Sequence, residues 1–140
     1  MTELGKTGFV FNPYGGKMKE ISSSETPFPH RSGNLYKIQY SVNWDEPGAE
    51  LEKNYTTQIR SLFSYMTPFV SKNPRSAFLN YRDLDIGINS FGKDIYEEGK
   101  VYGVKYFGDN FDRLVKVKTA VDPENFFRNE QSIPTFPSKA

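Results

Sequence analysis

Apolar and polar positions alternate strictly over residues 35–44. Tyr36, Ile38, Tyr40, Val42 and Trp44 fall on one side, and Lys37, Gln39, Ser41 and Asn43 on the other. A period of two is that of a β-strand, whose successive side chains point to opposite faces. The apolar side belongs to a core, while the polar side suits either solvent or the wall of a cavity. Residues two apart on such a face stand ~7 Å from each other, which is the spacing of Lys37 and Gln39. Gly8 to Tyr14 reads as a shorter strand, closed by Pro13 and the Gly15-Gly16 turn signal. From Pro47 onward the period lengthens. Leu51, Tyr55, Ile59, Leu62, Phe63, Met66 and Phe69/Val70 recur three and four residues apart, predicting an amphipathic helix that ends near Pro68 and lies across the apolar face of the sheet.

The remaining pattern is less regular. Residues 17–33 read as a polar linker with Pro27 and Pro29 around Phe28, and residues 77–81 as another short strand that delivers Asn80 and Tyr81 to a charged turn, Arg82 to Asp85. Residues 87–100 read as a loop. Asp109 is placed to cap a helix in which Phe111, Leu114, Val115 and Lys118 share a face, and Asp122-Pro-Glu-Asn125 to begin a further helical turn. The fold class is α+β. Two or three short strands and two helices do not close a sheet or bury this many aromatic rings, so the pattern describes part of a larger architecture.

Composition narrows the chemistry. The 140 residues carry a net charge of +1, which supplies no bulk field toward nucleic acid or anionic membranes. There is no cysteine and one histidine, so thiolate sites are excluded and imidazole schemes are reduced to His30. Aromatic residues make up 16% of the chain, too many for a disordered segment, and no stretch has the length of a membrane span or the pattern of a signal peptide. Asp83 and Asp85 are too few oxygens for a hard-metal loop, and no metal site is expected. Gly15-Gly16-Lys17 matches no phosphate-binding fingerprint. Asn54-Tyr55-Thr56 is a glycosylation sequon at Asn54.

Five ordered motifs carry a resemblance: Asn80-Tyr-Arg-Asp-Leu-Asp-Ile-Gly87, Lys105-Tyr-Phe-Gly108, Asn110-Phe-Asp-Arg-Leu-Val-Lys-Val-Lys118, Asp122-Pro-Glu-Asn-Phe-Phe127 and Gln131-Ser-Ile-Pro134. With Phe11-Asn-Pro-Tyr-Gly-Gly-Lys-Met18 and Phe28-Pro-His-Arg-Ser-Gly33, they make the chain similar to the C-terminal portion of the plant berberine-bridge-enzyme-like FAD-linked oxidoreductases. The resemblance implies a vanillyl-alcohol-oxidase-like architecture. Residues 1–100 would supply part of a substrate domain, an antiparallel sheet with covering helices. Residues 101–140 would form a C-terminal segment packing toward an FAD-binding domain. It also implies a secreted, cell-wall or vacuolar glycoprotein.

By the same resemblance Asn12 and Tyr14 line a substrate pocket, Lys37 and Gln39 point from the sheet toward substrate and flavin, and Asn80 and Tyr81 approach the reacting centre and cofactor. The family's covalent links to FAD use a His and a Cys from a part this chain does not contain. Glu stands at the place of Lys37 in cannabinoid-forming relatives, which use the tyrosine matching Tyr81 as base. Lys-x-Gln instead resembles members that oxidise monolignol-type alcohols, with a base tyrosine from elsewhere, so Tyr81 is left as base or neighbour. Phe78 departs from the family, where a tyrosine is common. The implied chemistry is removal of a substrate hydroxyl proton by a tyrosinate that Lys37 stabilises, hydride transfer to flavin, and reoxidation by oxygen or another acceptor. A cation ~4 Å from a phenolate contributes about 4 kcal/mol at an effective dielectric of ~20, less the cost of desolvation. The substrate would be a small alcohol, phenolic or sugar-like, and the isolated chain would be inactive. The competing reading is a non-catalytic remnant or aromatic module that binds a small phenolic or sugar without flavin.

Overall fold

A computed structural model describes residues 6–137, which divide into two compact units. The first joins the chain up to Tyr14 with Leu35–Asn73, and the second joins Gly15–Asn34 with Pro74 onward.

In the first unit, β1 (Thr7–Pro13) pairs antiparallel with β2 (Tyr36–Val42), opposite the helix α1 (Ala49–Met66). All three elements match the sequence pattern to within three residues at each end. Pro47 lies before α1 instead of in its first turn, and Gly48, at φ 148°, takes the left-handed conformation at the helix boundary. Glu50 and Glu52 then place negative charge against the positive end of the helix. The helix stops where Pro68 forces a short 3-10 turn, Thr67–Phe69. Its apolar stripe meets the sheet at one end: the Tyr40 ring sits 5.9 Å from that of Phe63, and Trp44 lies 5.3 Å from Tyr55.

The second unit is built on two helices, α2 (Ile95–Phe107) and α3 (Phe111–Val121), with a 3-10 turn at Gly108–Asn110 between them. The expected loop over 87–100 is thus corrected, because its second part is the start of α2. The residues buried along α2 are Gly99, Tyr102, Gly103 and Tyr106. Their spacing is helical, but glycines occupy two of the core positions, so the stripe is hidden from a reading that looks for aliphatic side chains. Both glycines are required by close approach. A Cβ on Gly103 would come 2.2 Å from the Phe111 ring, and one on Gly99 would come 2.6 Å from Pro134.

Three other expectations are corrected. Residues 77–81 form no strand among the described residues; the segment ends in a turn closed by Tyr81 N–H donating to the Phe78 carbonyl at 2.9 Å. Asp109 does not cap α3, which begins after Asn110. The Asn110 side chain is used instead elsewhere, its Nδ2 donating to the distant Ser23 carbonyl and its Oδ1 accepting from Arg113 in the first turn of α3. Asp122 to Asn125 is a turn, not a helix, with Asn125 at a φ of 53°. No described helix is long and apolar enough to cross a membrane.

Candidate functional site

The pairing of β1 with β2 decides which side chains share a face. Asn12 lies opposite Lys37, Val10 opposite Gln39 and Gly8 opposite Ser41. The ladder continues one step further, with the Tyr14 N–H donating to the Leu35 carbonyl at 2.8 Å. Opposed residues that exchange a backbone bond mark every second pair as hydrogen-bonded, so Asn12 and Lys37 form such a pair, with Cα atoms ~5.5 Å apart. The alternate pairs bring side chains closer, and there the apolar residues stand: Phe9 and Tyr40 are opposed, with rings 5.4 Å apart.

One face of this ribbon therefore gathers Asn12, Lys37 and Gln39, three of the residues the sequence singled out. Val10 completes the patch, which the alternation of β1 could have revealed. These polar side chains are partly buried, whereas on the opposite face Phe11 is 53% and Tyr36 is 58% exposed. The Asn12 Nδ2 is a buried donor without a hydrogen-bond partner. Buried donors are seldom left unmet, because each costs about 1–3 kcal/mol. An amide donor beside an ammonium and a second amide suits an acceptor-rich oxygen group, such as a substrate hydroxyl or a flavin carbonyl. Nothing in that donor set offers a covalent link.

Asn80 and Tyr81 belong to the second unit, Asn80 exposed and Tyr81 half-buried. The Tyr81 ring meets Phe78 edge-on at 5.2 Å, and Phe78 in turn meets Phe28 at 6.1 Å and His30 at 6.2 Å. His30 is buried in this aromatic cluster, its ring packed against those of Phe28 and Phe78. Arg82 to Asp85 is a turn: Asp83 Oδ1 accepts from the Asp85 N–H at 2.9 Å and starts the 3-10 turn Leu84–Ile86. Gly16–Lys19 is likewise a 3-10 turn, with Lys17 paired to Glu20. Asn54 is exposed on α1, its Oδ1 accepting from Gln58 at 3.4 Å. No group of three or more His, Cys, Asp or Glu among the described residues is arranged to hold a metal.

Sequence reasoning missed the polar centre of the second unit. The Tyr106 hydroxyl donates to Gln131 Oε1 at 2.9 Å and accepts the Asp83 N–H at 3.2 Å. Gln131 Nε2 donates to the carbonyls of Asp83 and Gly87, both at 2.7 Å. One turn earlier on α2, the Tyr102 hydroxyl donates to the Ser132 carbonyl at 2.7 Å. Burial holds both phenols above their ordinary pKa, so they remain donors. The signal available was the i, i+4 spacing of the two tyrosines.

The fold agrees with what similarity to known proteins shows. The family model "Berberine and berberine like" matches residues 77–134. Berberine bridge enzyme-like 21 of Arabidopsis thaliana is 70% identical over 140 residues, covering 100% of this chain and 26% of its own. Among solved structures, Phl p 4, a grass pollen allergen with glucose dehydrogenase activity, superposes with a TM-score of 0.84 at 47% identity, over 92% of this chain and 26% of its own. A variant of berberine bridge enzyme in complex with (S)-reticuline superposes with a TM-score of 0.88 at 37% identity, over 93% and 27%. The chain belongs to the berberine bridge enzyme-like family, a family of FAD-linked oxidoreductases from plants. It spans about a quarter of the length of the relatives it matches.

Proposed function

We propose that this chain supplies the substrate-facing sheet of an FAD-dependent oxidoreductase that oxidises a small alcohol, monolignol-like or sugar. The observation that carries the reading is the common face of Asn12, Lys37 and Gln39, with the Asn12 amide donor buried and unmet. Glucose and reticuline, named with the two structural relatives, show that small oxygen-bearing molecules are accepted within the family.

The chemistry FAD supplies when bound is acceptance of a hydride from the substrate carbon. The residues of this chain act on the oxygen. Asn12 and Gln39 donate hydrogen bonds that fix the hydroxyl. The Lys37 ammonium stabilises negative charge as the hydroxyl proton leaves, which is worth more in a water-poor site than in bulk solvent. Asn80 and Tyr81 are assigned to the reacting end, with Tyr81 at the edge of the aromatic cluster as base or as its neighbour. The isolated chain is assigned no turnover, because it spans a quarter of its relatives.

The test replaces the matching quarter of the Arabidopsis relative with this chain and follows flavin bleaching without oxygen, with coniferyl alcohol and with glucose. Lys37→Met should lower kcat roughly 100-fold, the scale of losing one electrostatic stabiliser, and move the pH profile of kcat upward. Bleaching that Lys37→Met and Asn12→Ala both leave unchanged would remove this face from the site. Phenol or sugar binding with no flavin bleaching would favour a non-catalytic binding module.

A further inference from the structure

The segment carrying Asn80 and Tyr81 has no strand to hold it, yet both its ends are fixed by neighbouring residues of α2. At its start, the Ala77 N–H donates to the Lys105 carbonyl at 2.9 Å. At its end, the Asp83 N–H donates to the Tyr106 hydroxyl at 3.2 Å. Gln131, 3% exposed, reaches in from the C-terminal segment and grips the turn that follows, through the Asp83 and Gly87 carbonyls. The Tyr106 hydroxyl is thus used in both directions, and three of the four bonds available to the Gln131 amide are made. A buried network satisfied to this degree selects one geometry, because any displacement strands a polar group in a dry interior.

We propose that Tyr106 and Gln131 are positioning residues that form a clamp on residues 77–87 and set where Tyr81 presents its hydroxyl. The inference rests on the assignment of Tyr81 to the reacting end. It gives a role to Lys105-Tyr-Phe-Gly108 and Gln131-Ser-Ile-Pro134, motifs that contain none of the residues assigned to substrate. Tyr106 accounts for the C-terminal end of the segment, and the Phe78 ring, 5.2 Å from that of Tyr81, for its interior. If positioning is the role, loss of the clamp loosens the Tyr81 turn before it loosens the helices.

Two measurements separate this from simple stabilisation. In the full chain, Tyr106→Phe removes one oxygen and little volume. It should speed hydrogen exchange at the Asp83 and Tyr81 amides about tenfold, the scale of one net hydrogen bond, while amides in α3 keep their protection. Gln131→Leu should do the same at Asp83, by a route independent of the phenol. In the chimeric enzyme described above, Tyr106→Phe should lower kcat about tenfold at constant KM and cause no further loss in a Tyr81→Phe background. Unchanged Asp83 exchange in both variants overturns the clamp. Faster exchange with unaltered kcat, where Tyr81→Phe itself lowers kcat, overturns the positioning role and leaves the proposed function standing. A Tyr81→Phe enzyme with full kcat overturns the assignment on which the role depends, and the exchange data then describe a structural network only.

Discussion

Asp122 accepts from Lys118 Nζ at 2.5 Å and from the backbone N–H groups of Phe126 and Phe127 at 2.8 and 3.0 Å. The Lys118 bond, with help from those two amides, holds its carboxyl below the ordinary aspartate range. A carboxylate with a lowered folded pKa adds stability that is complete above the unfolded value of ~3.9 and is lost as pH falls through the folded value. Asp122→Asn should therefore unfold at lower urea than the parent chain at neutral pH, and the gap should close as pH falls below the ordinary aspartate range; a gap independent of pH would show that the charge has no part in it. The sequence marked Asp122 as the start of a helical turn. Nothing in its local pattern signals that its carboxylate would be spent tying the end of α3 to the turn beyond. Lys37 and Gln39 were more legible, because alternation assigns a face without knowledge of the partner strand. That Asn12 stands opposite Lys37 was not, since 20 residues separate Tyr14 from Leu35 and no short-hairpin rule sets the register across them.

At the scale of elements, the strands and α1 follow from periodicity because one face of each is filled by large apolar side chains. α2 departs from that rule. Its inner stripe of Gly99, Tyr102, Gly103 and Tyr106 uses missing side chains as sockets for Pro134 and Phe111. Two effects oppose each other in Gly103→Ala. Helix propensity gains about 1 kcal/mol, while the added methyl meets a Phe111 ring that is itself 2% exposed and has little room to yield. Overpacking costs of about 1–3 kcal/mol, or more at 2.2 Å, outweigh the gain. The variant should be destabilised by about 2 kcal/mol, read as a lower midpoint in thermal or urea unfolding; an unchanged or raised midpoint would mean that α2 and α3 separate at little cost. The short strand expected at 77–81 failed for a related reason. Its apolar residues pack as an aromatic cluster around Phe78, and the Ala77 backbone bonds to a helix carbonyl in place of a strand.

Across the whole molecule, the described residues pair two strands and no more, and the fully buried apolar side chains lie mainly in α2 and α3. Residues after α3 complete that core by laying Gln131, Ser132 and Pro134 along α2. A chain ending at Val121 should keep the Tyr40–Phe63 contact but expose Tyr102 and Tyr106. Their phenols, raised by burial in the complete chain, should then titrate near the ordinary value of ~10, visible as an earlier rise in tyrosinate absorbance with pH; a titration unchanged by the truncation would show that the C-terminal segment does not cover them.

Both units are assembled from two separated stretches of chain. Asn110 holds the carbonyl of Ser23 from 87 residues away, and Pro134 fills the socket on α2 only after α3 has been made. During synthesis the ribosome has released the first of these stretches long before its companion emerges. Residues 15–34 must wait as an unpaired tether while residues 35–110 are made, so a message stalled within that stretch yields a product whose early segment is the natural place for a protease to cut.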